Sequence, residues 1–421
     1  MRLLRLILLL VLLAACSSNS QSTVVPPRTE ANATGVPSTA RPTATLLALA
    51  PTAVPSEQPT TQPTVVPVEP TAVAANNRLP AALYYLSAQA GTSQIYRLEA
   101  DGTTTSQITN EAEGVTEYAV SPVDSALVYI SNNDLLRADA AGANRTVLVD
   151  GADLDPNDIN DQHANQITAP MWSPDGSQIA FGLGGVNVMP AVGGTPTMLQ
   201  PHQPQTNAEM ADLFDFNALH APFSWSPDGS RLLTTFNYVP EGGAYTVLDL
   251  ATTTPITLTN NEGFLCCNPV WSGSGAVIYF ANDFLGIIPA GMWEANAETG
   301  AVTRLFGTPD GGAPWTLIRG PLPVGNDAFL AFYSETEDES VANGQAGQAL
   351  TMTQINADGS TATLRSTANT VGAVLWALDG SGAVITTSPF DEAPLQWLPS
   401  DDSPAVALDA TGRELRWAHG Q

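Results

Sequence analysis

The chain has no lysine. All fourteen basic residues among its 421 are arginine, set against 41 acidic ones, for a formal charge of −27. A surface this acidic repels phosphate backbones, which argues against nucleic acid as a partner and against docking on anionic headgroups. Cysteine is nearly missing, with only Cys16, Cys266 and Cys267. The familiar catalytic signatures are missing too: no Gly-x-Ser-x-Gly, no His-Glu-x-x-His and no phosphate-binding loop occurs. Charged residues of both signs make up only 13%, whereas 43% are hydrophobic, enough for a sizeable core.

The N-terminus carries the clearest signal. Met1-Arg2-Leu3-Leu4-Arg5 is a short positive stretch, Leu6 to Leu13 is an unbroken apolar run, and Leu13-Ala14-Ala15-Cys16 follows. The run is too short to span a bilayer comfortably. A secretory signal ends in small residues; here they stop at a cysteine, which resembles the bacterial lipobox. The resemblance implies that residues 1–15 are a signal peptide, that Cys16 is lipidated, and that the mature chain is exported and membrane-anchored. Two or three acyl chains anchor stably where one does not. Removing residues 1–15 leaves twelve arginines against the same 41 acids, or −29.

Residues 17–78 are a different material, rich in Thr, Pro, Ser, Ala and Val and without an aromatic residue. Prolines deny this segment helix and sheet, so it reads as a disordered tether of polyproline character. It reaches roughly 190 Å if fully extended in that form, and on the order of 45 Å as a flexible coil. From about Leu79 the pattern changes to short strands with a turn signal every ten residues or so, the mark of an all-β domain.

A repeat is visible in that domain. Trp172-Ser173-Pro174-Asp175-Gly176, Trp225-Ser226-Pro227-Asp228-Gly229, Trp271-Ser272-Gly273-Ser274-Gly275 and Trp376-Ala377-Leu378-Asp379-Gly380 are the clear copies; Val120-Ser121-Pro122 and Pro323-Val324-Gly325 begin weaker ones. In each, Pro fixes φ, Asp bonds nearby backbone, Gly takes positive φ, and Trp buries a large ring between neighbouring sheets. Further turns such as Asp101-Gly102 and Asp358-Gly359 join a third and fourth strand. One repeat is thus a four-stranded propeller blade. Second strands occur near Leu83, Leu127, Ile179, Leu232, Ile278, Leu330 and Ile385, giving seven blades over residues 79–421. The first lacks an inner strand, which Arg413 to Trp417 would supply, so that the C-terminal strand closes the ring and removes free edges.

These repeats resemble the TolB-like propeller family, whose blades carry the same Trp-Ser-Pro-Asp-Gly turn. The resemblance implies a propeller that serves as a binding platform in the bacterial envelope. The family's characterised member has six blades and belongs to a cell-envelope complex. A count of seven and a lipid anchor depart from it, so its partners do not carry over.

Loop length points to a site. Long connections run from Asp150 to Ala169 and from Pro201 to Pro222, and long second-to-third strand loops from Asn282 to Gly291 and Ser334 to Gly347. Both loop classes open on one face of a propeller, where binding is expected. Cys266-Cys267 are the only partners left for each other; they either close a strained vicinal disulfide at the channel mouth or stay reduced in the core. Asp153, Asp155, Asn157 and Asp161 alternate oxygen donors as a Ca²⁺ loop does, though without the motif's Gly and distal Glu, so a solvated acidic loop is the competing reading. His163 and His220 open two successive blades without an evident third ligand for zinc. Arg319 and Arg413 sit level with Cys267 and would either bind an anion or pair with carboxylates.

The expectation is therefore an extracytoplasmic, lipid-anchored seven-bladed propeller on the periplasmic or cell-surface side. It would bind an envelope protein, a peptide or a small extracellular ligand on its long-loop face. A propeller enzyme of quinoprotein or glycosidase type, with a metal or cofactor at the channel mouth, is the alternative, since such sites are dispersed and motif-poor. A purely structural envelope component is the third.

Overall fold

The computed structural model describes residues 77–419, apart from 209, 212, 240–242, 260–268, 285–288, 308–311, 326–327 and 345–347. Cys16, Cys266 and Cys267 lie outside the described residues, as does nearly all of the tether. What is described is all-β, built from antiparallel sheets, most of them four-stranded, as in a β-propeller, with two short helices, Ile159–Asn165 and Glu339–Ala342.

The first two strands of each repeat meet at the turns read from the sequence. In the Ser173-Pro174-Asp175-Gly176 turn, Gly176 N–H donates to the Ser173 carbonyl at 2.9 Å with φ +69° at the glycine. The Asp175 carboxylate accepts from Ser173 Oγ at 2.6 Å and Ser177 N–H at 3.0 Å. The hydroxyl bond from Ser173, then the Ser177 amide, hold that carboxyl down at about 2. Asp228 repeats the arrangement with Ser226 and Ser230.

Middle strands are buried on both faces. In Leu83–Ser87 every residue is buried. Side chains alternate across a strand, so Leu83 and Tyr85 enter one apolar cluster while Tyr84 and Leu86 enter another. Leu127–Ser131 does the same: Leu127 and Tyr129 face back to Tyr84, and Val128 and Ile130 face forward to Trp172 and Phe181. Among the described residues seven clusters arise in this way, nearly all drawing on two successive units. The one containing Tyr85, Tyr96, Val384, Leu395 and Trp397 joins the last unit to the first.

That join is a single strand. Val406–Trp417 pairs through Val406 to Gly412 with Ala393–Pro399, then through Arg413 to Trp417 with Leu83–Ser87, so two units merge into one seven-stranded sheet. Gly412 marks the changeover. A Cβ there would lie 2.4 Å from Tyr85 Cδ2 and 2.7 Å from the Leu86 carbonyl oxygen. Two residues on, Glu414 bulges out of register at φ +55°. The tip is fastened to the neighbouring unit: His419 N–H donates to Ser125 Oγ at 2.6 Å.

The long connections are partly ordered. Asp150 to Ala169 holds the Ile159–Asn165 helix, N-capped by Asp158. The Pro201 to Pro222 stretch is not simply a loop. Gln203–Pro204 pairs with Phe216–Trp225, an inner strand that begins six residues before Pro222 and runs for ten.

Candidate functional site

The inner strands Glu117–Val120, Thr168–Trp172 and Phe216–Trp225 and the end of Val406–Trp417 line an open cavity of about 730 Å³. Its wall is aromatic and proline-rich, with Tyr118, Trp172, Phe223 and Trp225 beside Pro122, Pro170, Pro174 and Pro222. Four charged side chains line it: Glu117, Arg413, Glu414 and Arg416. Glu414 and Arg416 pair at 3.2 Å. Glu117 accepts the Ala169 N–H at 2.7 Å, and burial nevertheless raises its carboxyl above the usual range. Arg413, a predicted site residue, lies in this wall and has no hydrogen bond or ion pair among the described residues.

The repeat's tryptophans give the cavity a second property. Trp417 Nε1–H donates to the Trp376 carbonyl at 2.7 Å, Trp376 Nε1–H to the Gly320 carbonyl at 2.6 Å, and Trp271 Nε1–H to Ser224 Oγ at 3.0 Å. Each reaches the inner strand of the preceding unit. Trp172 and Trp225 occupy the same place in the repeat, are 8% and 9% exposed, and have indole nitrogens without a partner. Both Trp172 and Trp225 belong to strands that line the cavity, as does the bonded Trp417. The Arg137 guanidinium lies over the Trp172 ring, 5.7 Å from its centroid.

The other predicted residues fall elsewhere. His220 is not in the cavity wall; it is 2% exposed, stacked on Phe236 at 5.6 Å, with both ring nitrogens unpartnered. Burial, then the nearby His202, pushes it down to about 4. His163 lies in the Ile159–Asn165 helix, and burial lowers it. The two do not meet directly. His202 stands between them: its Nδ1 accepts the His220 N–H at 2.9 Å, so its Nε2 carries the proton and donates to the His163 carbonyl at 3.0 Å. His202 escaped sequence reading, although it is one of only four histidines and sits in an elaborated connection.

In the acidic loop, Asp161 accepts from Asp155 N–H at 2.7 Å and from Asn165 Nδ2 at 2.7 Å, while Asp155 accepts from Asn157 N–H at 2.9 Å. These bonds tie the loop together, Asp158 caps the helix by accepting from Asn160 N–H at 2.9 Å, and Asp153 stands outside them. No group of three His, Cys, Asp or Glu among the described residues converges to hold a metal ion. Arg319 is engaged on both sides, with Nε to Asp283 Oδ2 at 2.6 Å, Nη2 to Oδ1 at 3.0 Å and Nη1 to the Gly372 carbonyl at 2.6 Å. Of its two readings, pairing with a carboxylate is the one the structure displays.

Glu117, Glu414 and Arg416 were absent from the sequence-derived site. Register within the repeat was the available signal, because Glu117 lies three residues before Val120, the tryptophan-equivalent position, on the level of Arg413.

No family model matches the chain, and no curated protein matches it. Solved structures do. A puromycin hydrolase mutant complexed with PGG superposes with TM-score 0.54 at 13% identity, over 79% of this chain and 53% of that one. TolB of Acinetobacter baumannii gives TM-score 0.42 at 15% identity, over 80% and 82%. What the puromycin hydrolase shares with this chain is the fold. This chain spans about half the length of the puromycin hydrolase it matches.

Proposed function

We propose that the chain is an extracytoplasmic propeller, lipid-anchored through Cys16, that works as a binding platform rather than as an enzyme. On this reading the six sheets are seven blades, the seven-stranded sheet counting twice. The tether of residues 17–78 would hold the platform off the membrane, where an envelope protein, a peptide or a small extracellular ligand reaches it. One observation carries the binding role. The cavity wall sets the Arg413 guanidinium, which has no hydrogen bond or ion pair among the described residues, near the Glu117 carboxyl within a frame of aromatic and proline rings. Apolar pockets with a few convergent polar groups are the usual form of ligand sites.

Melting of the whole chain against muropeptides, peptides, sugars and metal ions tests the role. A ligand of the folded state present at about 100 times its dissociation constant adds about 2.7 kcal/mol, and Arg413→Gln should abolish the shift. Turnover of any sugar or alcohol substrate would overturn the non-enzymatic reading. Anchoring is tested separately by labelled palmitate in a bacterial host: Cys16→Ala should lose both the label and the membrane fraction.

A further inference from the structure

We infer that His202 is the pin of an acid-sensitive latch: neutral, it fastens the Ile159–Asn165 helix and the segment from Pro201 to Gln205 to the inner strand Phe216–Trp225, and its protonation releases them. The inference concerns the two long connections and does not depend on what the cavity binds.

The latch brings together three of the chain's four histidines. His202 Nδ1 accepts the His220 N–H of the strand at 2.9 Å, and its Nε2–H donates to the His163 carbonyl of the helix at 3.0 Å. Both ring nitrogens are thus committed, one as acceptor and one as donor. A protonated imidazole has two donors and no acceptor. The added Nδ1–H would oppose the His220 N–H, and the bond to the strand would be lost. The ring is half-buried and lies edge-on to Phe216, with centroids 5.3 Å apart.

No acid is placed to compensate the new charge. On the helix, Asp158 accepts from the Asn160 and Asp161 amides, and Asp161 from Asp155 N–H and Asn165 Nδ2. Asp215, just before the strand, donates its N–H to Asn160 Oδ1 and gives its carbonyl to Gln205 N–H. Gly184, whose carbonyl accepts the His202 N–H, and Phe236, beside His220, carry no charge. None of these carboxylates bonds a histidine ring among the described residues. The titratable groups nearest the pin are the other two histidines, His163 with Nδ1 buried and unpartnered and His220 with neither nitrogen partnered. Burial lowers His202 despite its bond to the His163 carbonyl. The segment's other ties to the strand are few: the two-residue pairing of Gln203–Pro204 and the side-chain amide of Gln205 on the Phe216 carbonyl.

Once released, His202 protonates near 6.5. The latch is therefore fully held above that pH and loosens as pH falls below it. Hydrogen exchange of the full chain, read by mass spectrometry at pH 7.5 and 5.0 and corrected for the intrinsic rate, tests this. Peptides covering the helix and His202 to Gln205 should exchange at least about tenfold faster at pH 5.0, while Leu83–Ser87 and Leu127–Ser131 stay unchanged. His202→Asn offers an amide oxygen to the His220 N–H and cannot titrate. It should lose most of the rise, with its melting temperature recorded to show that it folds; an undiminished rise overturns the inference. Should that variant fail to fold, the wild-type pH series decides. A rise that begins near pH 6 supports the latch. One that sets in only near pH 4, where His220 and carboxylates titrate, overturns the role of His202. An equal rise throughout the chain, or none, overturns the latch itself.

Discussion

Exchanging His220 for leucine should remove a defined part of the chain's acid lability. The ring is 2% exposed, neither nitrogen has a partner among the described residues, and His202 is the neighbouring titratable group. Protonation would bury a positive charge away from water and beside His202 without a hydrogen-bond acceptor, so the folded state keeps His220 neutral down to about 4. An unfolded chain protonates it near 6.5. The folded-state value is thus depressed. The stabilisation it represents is complete above about pH 6.5 and is lost as pH falls toward 4. Between pH 7.5 and 4.5 the loss amounts to about 2.5 kcal/mol. Urea unfolding of the full chain, followed by tryptophan fluorescence at both pH values, measures it. The leucine variant fills a similar volume against Phe236 and should lose less stability on acidification than the wild type, by about that amount. Parallel losses in the two proteins would refute the argument.

Gly412→Ala should destabilise by roughly 1–3 kcal/mol in the same unfolding assay, because the added methyl meets the Tyr85 ring and the Leu86 carbonyl where the last strand changes sheets. Trp376→Phe removes a bonded indole N–H and strands the Gly320 carbonyl, costing about 1 kcal/mol beyond the lost packing. Trp225→Phe removes a donor that has no partner and should cost measurably less in a side-by-side melt. Arg319→Gln leaves the Asp283 carboxylate buried and unmatched, at about 2–4 kcal/mol; restored stability in Arg319→Gln with Asp283→Asn would confirm the pairing.

Much of the fold was legible because its turns are written in residues with narrow backbone preferences. Ser173 to Gly176 and Ser226 to Gly229 form the bonds their sequence anticipates, and the inner-strand role assigned to Arg413 to Trp417 appears as pairing with Leu83 to Leu86. Alternation was harder to see, since Leu83–Ser87 and its counterparts bury both faces and read as continuous apolar runs. The site was less legible. Histidines and arginines invite functional readings one at a time, but whether a residue is free depends on what long-range folding puts opposite it. Arg319 meets Asp283 and Gly372, residues 36 and 53 positions away, and His220 disappears behind Phe236. The unpartnered indoles could not be read at all, because Trp172 and Trp376 look alike until their partners, or the lack of them, are placed.

The strand that serves two sheets also sets a timetable. Leu83 cannot complete its sheet until Trp417 has been synthesised and, on the proposed location, exported. Pairing across so many intervening residues is entropically late and slow. A nascent or truncated chain therefore carries an open β edge at each end, ready to pair with another chain, until Val406–Trp417 arrives. Quality control of this protein would have its most informative substrate in chains cut just before Val406.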